Sequence, residues 1–157
     1  MHYTYQQIAT LTGARIVGEG RGAIDWLLTD SRSLAFPETT LFFAIRTARG
    51  DGHRYVADLY RRGVRGFVVE ELPPQHNEIY PDANFLVSRD TLGTLQLLAR
   101  RHREQFDIPV VGITGSNGKT VVKEWLYQLL SPDMRVTRSP RSYNSQVGVP
   151  LSVTLLD

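Results

Sequence analysis

Cysteine is absent from the 157 residues, which excludes a disulfide scaffold and any thiolate-ligated metal site. Histidine is scarce, with four scattered copies, so a His-rich zinc site is not expected either. No apolar run approaches the roughly 18 residues needed to cross a bilayer, and the mean hydropathy of -0.23 is ordinary for a water-soluble chain. The opening MHYTYQQIATLTG has no basic region followed by an apolar stretch and a small-residue cleavage site, so a cytoplasmic location is expected. Lysine is nearly absent too. Lys119 and Lys123 are the only two among 18 basic residues, which leaves arginine for the rest. The formal net charge is only +2, and the basic residues are not interleaved with aromatics as a base-stacking groove requires. A nucleic-acid partner is therefore not expected, although the pI is about 9.1. What is present is 41% hydrophobic and 10% aromatic content, enough for a buried core in about one domain of ordinary size.

Apolar periodicity predicts an α/β fold in two unequal parts. Residues 5–11 read as a short helix with Ile8 and Leu11 buried and Gly13 as its stop. Strands are expected at residues 23–29, 40–45, 66–70 and 85–88. The first delivers Asp30, Ser31 and Arg32 into a loop. Helices are expected at residues 53–62, ended by Gly63, and at residues 90–106, with Asp90 as N-cap. The polar, proline-containing stretch of residues 71–84 reads as a surface loop. The boundary is placed within residues 105–109, giving a first domain of residues 1–104 and a second part of residues 105–157. Asp30, Ser31, Arg32, Asp51 and His53 are candidates for ligand recognition, with capping the alternative for Asp30 and Asp51.

The second part carries the most informative segment. Residues 108–113 (IPVVGI) read as an apolar strand, residues 114–118 (TGSNG) as a turn of small residues, and residues 119–130 (KTVVKEWLYQLL) as a helix. A glycine loop between strand and helix N-terminus lets backbone N–H groups surround a phosphate. Gly115, Ser116, Asn117 and Gly118 would form that loop. Lys119 would reach the terminal phosphates of ATP or GTP, and Thr120 would hold Mg2+. The strict Walker string requires a glycine where Ile113 stands, so only GxxGKT of that pattern is present. Further on, Arg138, Arg141, Tyr143 and Asn144 could close over the phosphates. The final LSVTLLD reads either as a carboxylate-ended strand or as the start of a helix.

A nucleotide-binding parallel sheet needs several strands and helices on both faces. After the glycine loop the chain holds one helix and one uncertain element. It is therefore expected to be the N-terminal portion of a larger ATPase, inactive alone.

Taken together, these segments resemble the Mur ligases of peptidoglycan synthesis. ITGSNGKT, residues 113–120, is similar to that family's TG(T/S)NGKT loop. TDSR (29–32), LFFAIR (41–46), DGHRYV (51–56) and GVRGFVVE (63–70) follow in the order of the family's N-terminal nucleotide-sugar domain. NSQVGVPLSVTLL (144–156) is similar to the asparagine-containing segment of the family and suits best the step that adds D-alanyl-D-alanine. The resemblance spans about residues 5–157.

It implies an N-terminal domain that binds the uridine diphosphate of UDP-MurNAc-tripeptide near Ser31 and Arg32. It also implies a central domain that uses ATP and Mg2+ to form an acyl phosphate, which D-alanyl-D-alanine then attacks. Lys119 and Thr120 would be catalytic, and Asn144 would lie on the substrate or phosphate side of the cleft. A monomeric ligase is implied, with fusion to alanine racemase as one form. Departures are Arg46 and Thr47 where relatives often carry glycine, and Leu34 and Ala35 before Phe36. The alternatives are the family's single-amino-acid step, a folylpolyglutamate-type ligase, which should lack TDSR, or a small GTPase-like switch.

Overall fold

The computed structural model describes residues 1–48, 50–140 and 143–157. Two compact units are present, Met1–Leu98 and Ala99–Asp157.

The first unit opens with β1 (Tyr3–Thr4) and α1 (Tyr5–Thr12). Thr4 and Gln7 close a reciprocal capping box at the start of α1, and Gly13, at φ 72°, ends it in the left-handed conformation. β2 (Arg15–Val17) follows, and then β3 (Ala23–Ile24) and β4 (Trp26–Leu28). The single strand expected over residues 23–29 is thus two, broken at Asp25. β3 pairs with β1, whereas β4 joins the main sheet. β5 (Thr40–Phe43), a minor hairpin of β6 (Arg46–Thr47) and β7 (Gly50–Asp51), and α2 (Val56–Arg61) come next. β8 (Gly66–Val69), α3 (His76–Ile79), β9 (Asn84–Val87) and α4 (Thr91–Arg103), which runs on past Leu98 into the second unit, complete the series. α3 lies in the stretch read from its prolines as loop. β2 was also missed, because three residues are too short to display alternation.

The main sheet has the order β2-β9-β8-β5-β4. Four strands are parallel and β2 runs antiparallel at one edge. Register explains the core. Val17, Phe85, Phe67, Phe42 and Leu28 stand opposite one another in one continuous row across all five strands. They share a face with Ala44 and Val69 and pack with Val56 and Leu59 of α2. Phe67 stacks on Phe85 at 5.5 Å between ring centroids, and Phe42 meets Phe67 edge-on. The alternate residues Leu41, Phe43, Val68 and Leu86 are equally buried, so the sheet is covered on both faces, as parallel sheets require. On that second face Tyr5 of α1 lies over Gly66, where an added Cβ would come within 2.6 Å of the Tyr5 hydroxyl.

In the second unit, α5 (Lys119–Leu130) and α6 (Gly148–Val153) are the complete helices. His102 is buried and hydrogen-bonded at 2.8 Å to the Leu156 carbonyl oxygen. Burial pushes its pKa down. The strand expected at residues 108–113 does not form. Val110 and Val111 are exposed and have no ladder partner among the described residues, and a strand exists only through its neighbour's hydrogen bonds. The closing segment takes the helical of its two readings.

Candidate functional site

The glycine loop leads directly into α5. Gly115 and Gly118 adopt positive φ, 147° and 78°, which L side chains rarely reach, so the glycines set the path of the chain into Lys119. The first helical bond runs from the Val122 N–H to the Gly118 carbonyl at 3.0 Å. No side chain caps this end and the first turn holds no acidic residue. Such a helix start carries the positive end of the dipole toward solvent and suits an external anion. Ser116, Asn117 and Thr120 are exposed around it. Lys119 folds back over the loop, its Nζ donating to the carbonyl oxygens of Gly115 at 2.5 Å and Ser116 at 3.4 Å. Lys123, one turn on, donates to the Ser139 carbonyl at 2.7 Å. Asn144 is exposed ahead of α6, whose first residue, Gly148, donates its N–H to Ser145 Oγ at 2.9 Å. Among the described residues no hydrogen bond joins Asn144 to the loop. Arg141 lies outside the described residues.

In the first unit, Asp30, Ser31 and Arg32 sit just beyond the carboxyl end of β4, the end at which parallel sheets receive ligands. Asp30 caps the short turn at Ser31–Ser33 by accepting the Arg32 N–H at 3.0 Å. The Arg32 guanidinium returns to the same carboxylate with contacts of 2.9 and 2.7 Å, which hold the Asp30 pKa below its usual value. Arg62 donates to the Ser31 carbonyl at 2.8 Å and ties this turn to the end of α2. The Arg32 side chain remains 88% exposed.

No protein-family model matches the chain. Among curated proteins, it is 34% identical over 130 residues to the UDP-N-acetylmuramoyl-tripeptide--D-alanyl-D-alanine ligase of Bacillus subtilis, covering 83% of this chain and 27% of that protein. Among solved structures, MurF from Acinetobacter baumannii superposes with a TM-score of 0.86 at 28% identity, over 100% of this chain and 34% of that one. MurF from Thermotoga maritima in complex with ADP gives 0.65 at 30% identity, over 82% of this chain and 28% of that one. The chain belongs to the Mur ligase family. It spans about a quarter to a third of the length of the relatives it matches.

Within this Mur ligase sequence the DGH block takes the capping role that the sequence left open. Asp51 Oδ1 accepts the His53 N–H at 2.9 Å and lies 2.6 Å from His53 Nδ1. The Glu70 N–H donates to His53 Nε2 at 3.0 Å. A nitrogen that accepts from an amide carries no proton, so Nδ1 holds it and donates to Asp51. Arg46 bridges Asp51 at 3.0 Å and Glu70 at 3.1 Å. Gly52 is forced by close approach, because a Cβ there would fall within 2.8 Å of the Ala44–Ile45 backbone. Sequence reasoning missed Arg46 and Glu70 as members of this network. Its only signal was the spacing of DGH after a strand.

Proposed function

We propose that this chain is the N-terminal part of an ATP-dependent ligase that joins D-alanyl-D-alanine to UDP-MurNAc-tripeptide through an acyl phosphate. The observation that carries this reading is the junction of Gly118 and Lys119, an uncapped helix start after two positive-φ glycines, in a chain similar to D-alanyl-D-alanine-adding ligases. The loop suits a nucleotide phosphate. It is exposed, and a Cβ added at Gly118 would meet nothing within 4 Å.

In this reading Gly115, Ser116, Asn117 and Gly118 present backbone to the phosphates of ATP. Lys119 exchanges its loop carbonyls for phosphate oxygens and offsets charge that builds during transfer. Thr120 would hold Mg2+, which when bound supplies charge neutralisation at those oxygens. Ser31 and Arg32 hold the uridine diphosphate end, and Asn144 orients substrate or phosphate. Residues 1–104 form the nucleotide-sugar domain and residues 105–157 begin the ATP-binding one. The ligase is cytoplasmic and monomeric in its ligase portion, with an alanine racemase fusion as one form it can take.

The test is amide formation from UDP-MurNAc-tripeptide, D-alanyl-D-alanine and magnesium ATP by the longer ligase carrying this sequence, with the 157-residue chain assayed beside it. Lys119→Ala should lower turnover by orders of magnitude, and Thr120→Ala should raise the magnesium requirement. Product from a single amino acid but never from the dipeptide would move the assignment to the preceding step. Full activity in Lys119→Ala would remove the loop from the mechanism.

A further inference from the structure

A cavity of about 640 Å³ opens at the β2/β9 edge of the first unit, with Arg15, Ser88, Arg89, Thr94 and Thr12 in its wall. It lies three strand spacings, roughly 14 Å, from β4 and the Ser31–Arg32 turn. Arginine behaves differently here from the rest of the chain. Every other described arginine is engaged by an acid, a carbonyl oxygen or a tyrosine. Among the described residues, the guanidiniums of Arg15 and Arg89 have no such partner, and both line this one cavity. β2 and β9 bring them together, since Arg15 stands opposite Val87, two residues before Arg89.

The third element is Ser88. Its Oγ has no hydrogen-bond partner and is closed off from solvent, a cost for a hydroxyl that a turn about the Cα–Cβ bond toward a ligand in the cavity would relieve. The neighbouring hydroxyls are already committed, Thr12 to the Ile8 carbonyl and Thr94 to the Asp90 carbonyl. Of the two acids in the wall, one is charge-paired. Glu70 is paired with Arg46 and faces Thr91, whereas Asp90 accepts the Gly93 N–H at the start of α4 and keeps its negative charge, leaving two arginines against one uncompensated carboxylate. The unspent donors are therefore two cations and one hydroxyl.

We propose that this cavity is a binding site for a small oxyanion, a phosphate or carboxylate group, gripped by Arg15 and Arg89 and completed by the Ser88 hydroxyl. Two guanidinium forks match the planar or tetrahedral oxygens of such groups, and Ser88 gives direction to the third contact. The site is independent of the glycine loop and does not rest on the ligase reading.

Inorganic phosphate and acetate are titrated separately into the 157-residue chain while the Ser88 and Arg89 amide and arginine Nε–H resonances are recorded. Saturable shifts at Ser88, Arg89 and Arg15, weakened by added salt, are expected. Arg15→Gln with Arg89→Gln should weaken binding by about tenfold or more at unchanged melting temperature. Ser88→Ala, which removes only the hydroxyl, should weaken it severalfold and serves if the double variant does not fold. Tighter phosphate than acetate assigns a phosphoryl ligand, and the reverse assigns a carboxylate. Shifts confined to residues 115–120, or binding indifferent to both sets of substitutions, would overturn the proposal.

Discussion

The His53 ring accepts the backbone N–H of Glu70 at 3.0 Å, so a side chain from the turn after β7 completes the end of β8. The histidine of the DGH string reads as a candidate for ligand recognition, yet here both ring nitrogens are spent inside the fold. Replacing His53 with alanine leaves a partly buried N–H without its acceptor. The expected loss is about 1–3 kcal/mol of stability of the first unit, read by urea unfolding. A variant as stable as the parent would show that solvent replaces the ring without cost.

Asp51 supplies a pH dependence whose sign follows from its position. The His53 amide and ring, together with Arg46, hold its pKa down to about 2 against an ordinary 3.8. A folded-state value below the unfolded one stabilises the fold above about pH 4, and this contribution disappears as pH falls from about 4 to 2. Thermal melting of Asp51→Asn should therefore converge on that of the parent through this window. A difference that stays constant from pH 6 to pH 2 would rule the linkage out.

Asn84 presents a comparable test at the other end of β9. Its Oδ1 accepts the Gly20 N–H at 2.6 Å in a buried setting, and its side chain also meets the hydroxyl of Tyr5. Asn84→Ala should cost about 1–3 kcal/mol, measured by chemical denaturation, because the Gly20 N–H is left unsatisfied. Asn84→Asp, which keeps the acceptor, is expected to recover part of that loss at neutral pH.

The glycine loop separates strain from crowding. At Gly118 an added Cβ meets nothing within 4 Å, but φ of 78° remains unfavourable for alanine. Gly118→Ala is expected to cost about 1–2 kcal/mol locally and to weaken nucleotide affinity in the longer ligase. Calorimetric titration with ADP checks this. Unchanged affinity would mean that the loop binds in another backbone conformation.

The division of the chain is open to proteolysis. Residues 1–104 retain all of α4, including the buried Leu95 and Leu98, and should fold cooperatively when expressed alone. Circular dichroism melting decides it, and a non-cooperative transition would place the boundary elsewhere.

Much of this was legible in the residues themselves. Short-range chemistry dictates α1 with its glycine stop, the Asp90-capped α4, and α5 starting on Lys119, because capping, turn glycines and 3.6-residue periodicity all act within a few positions. The parallel strands β5, β8 and β9 were visible for the same reason, as apolar runs bounded by turns. Tertiary structure decided what depends on partners distant in sequence. It broke residues 23–29 at Asp25 and gave the halves different neighbours. It recruited Arg15–Val17 as an edge strand and left residues 108–113 without a ladder. It also assigned Asp30, Asp51 and His53 to the backbone and left Arg15 and Arg89 unspent. Hydrogen-bond partners for polar side chains come from whatever the fold brings near, and adjacency in sequence carries no information about them.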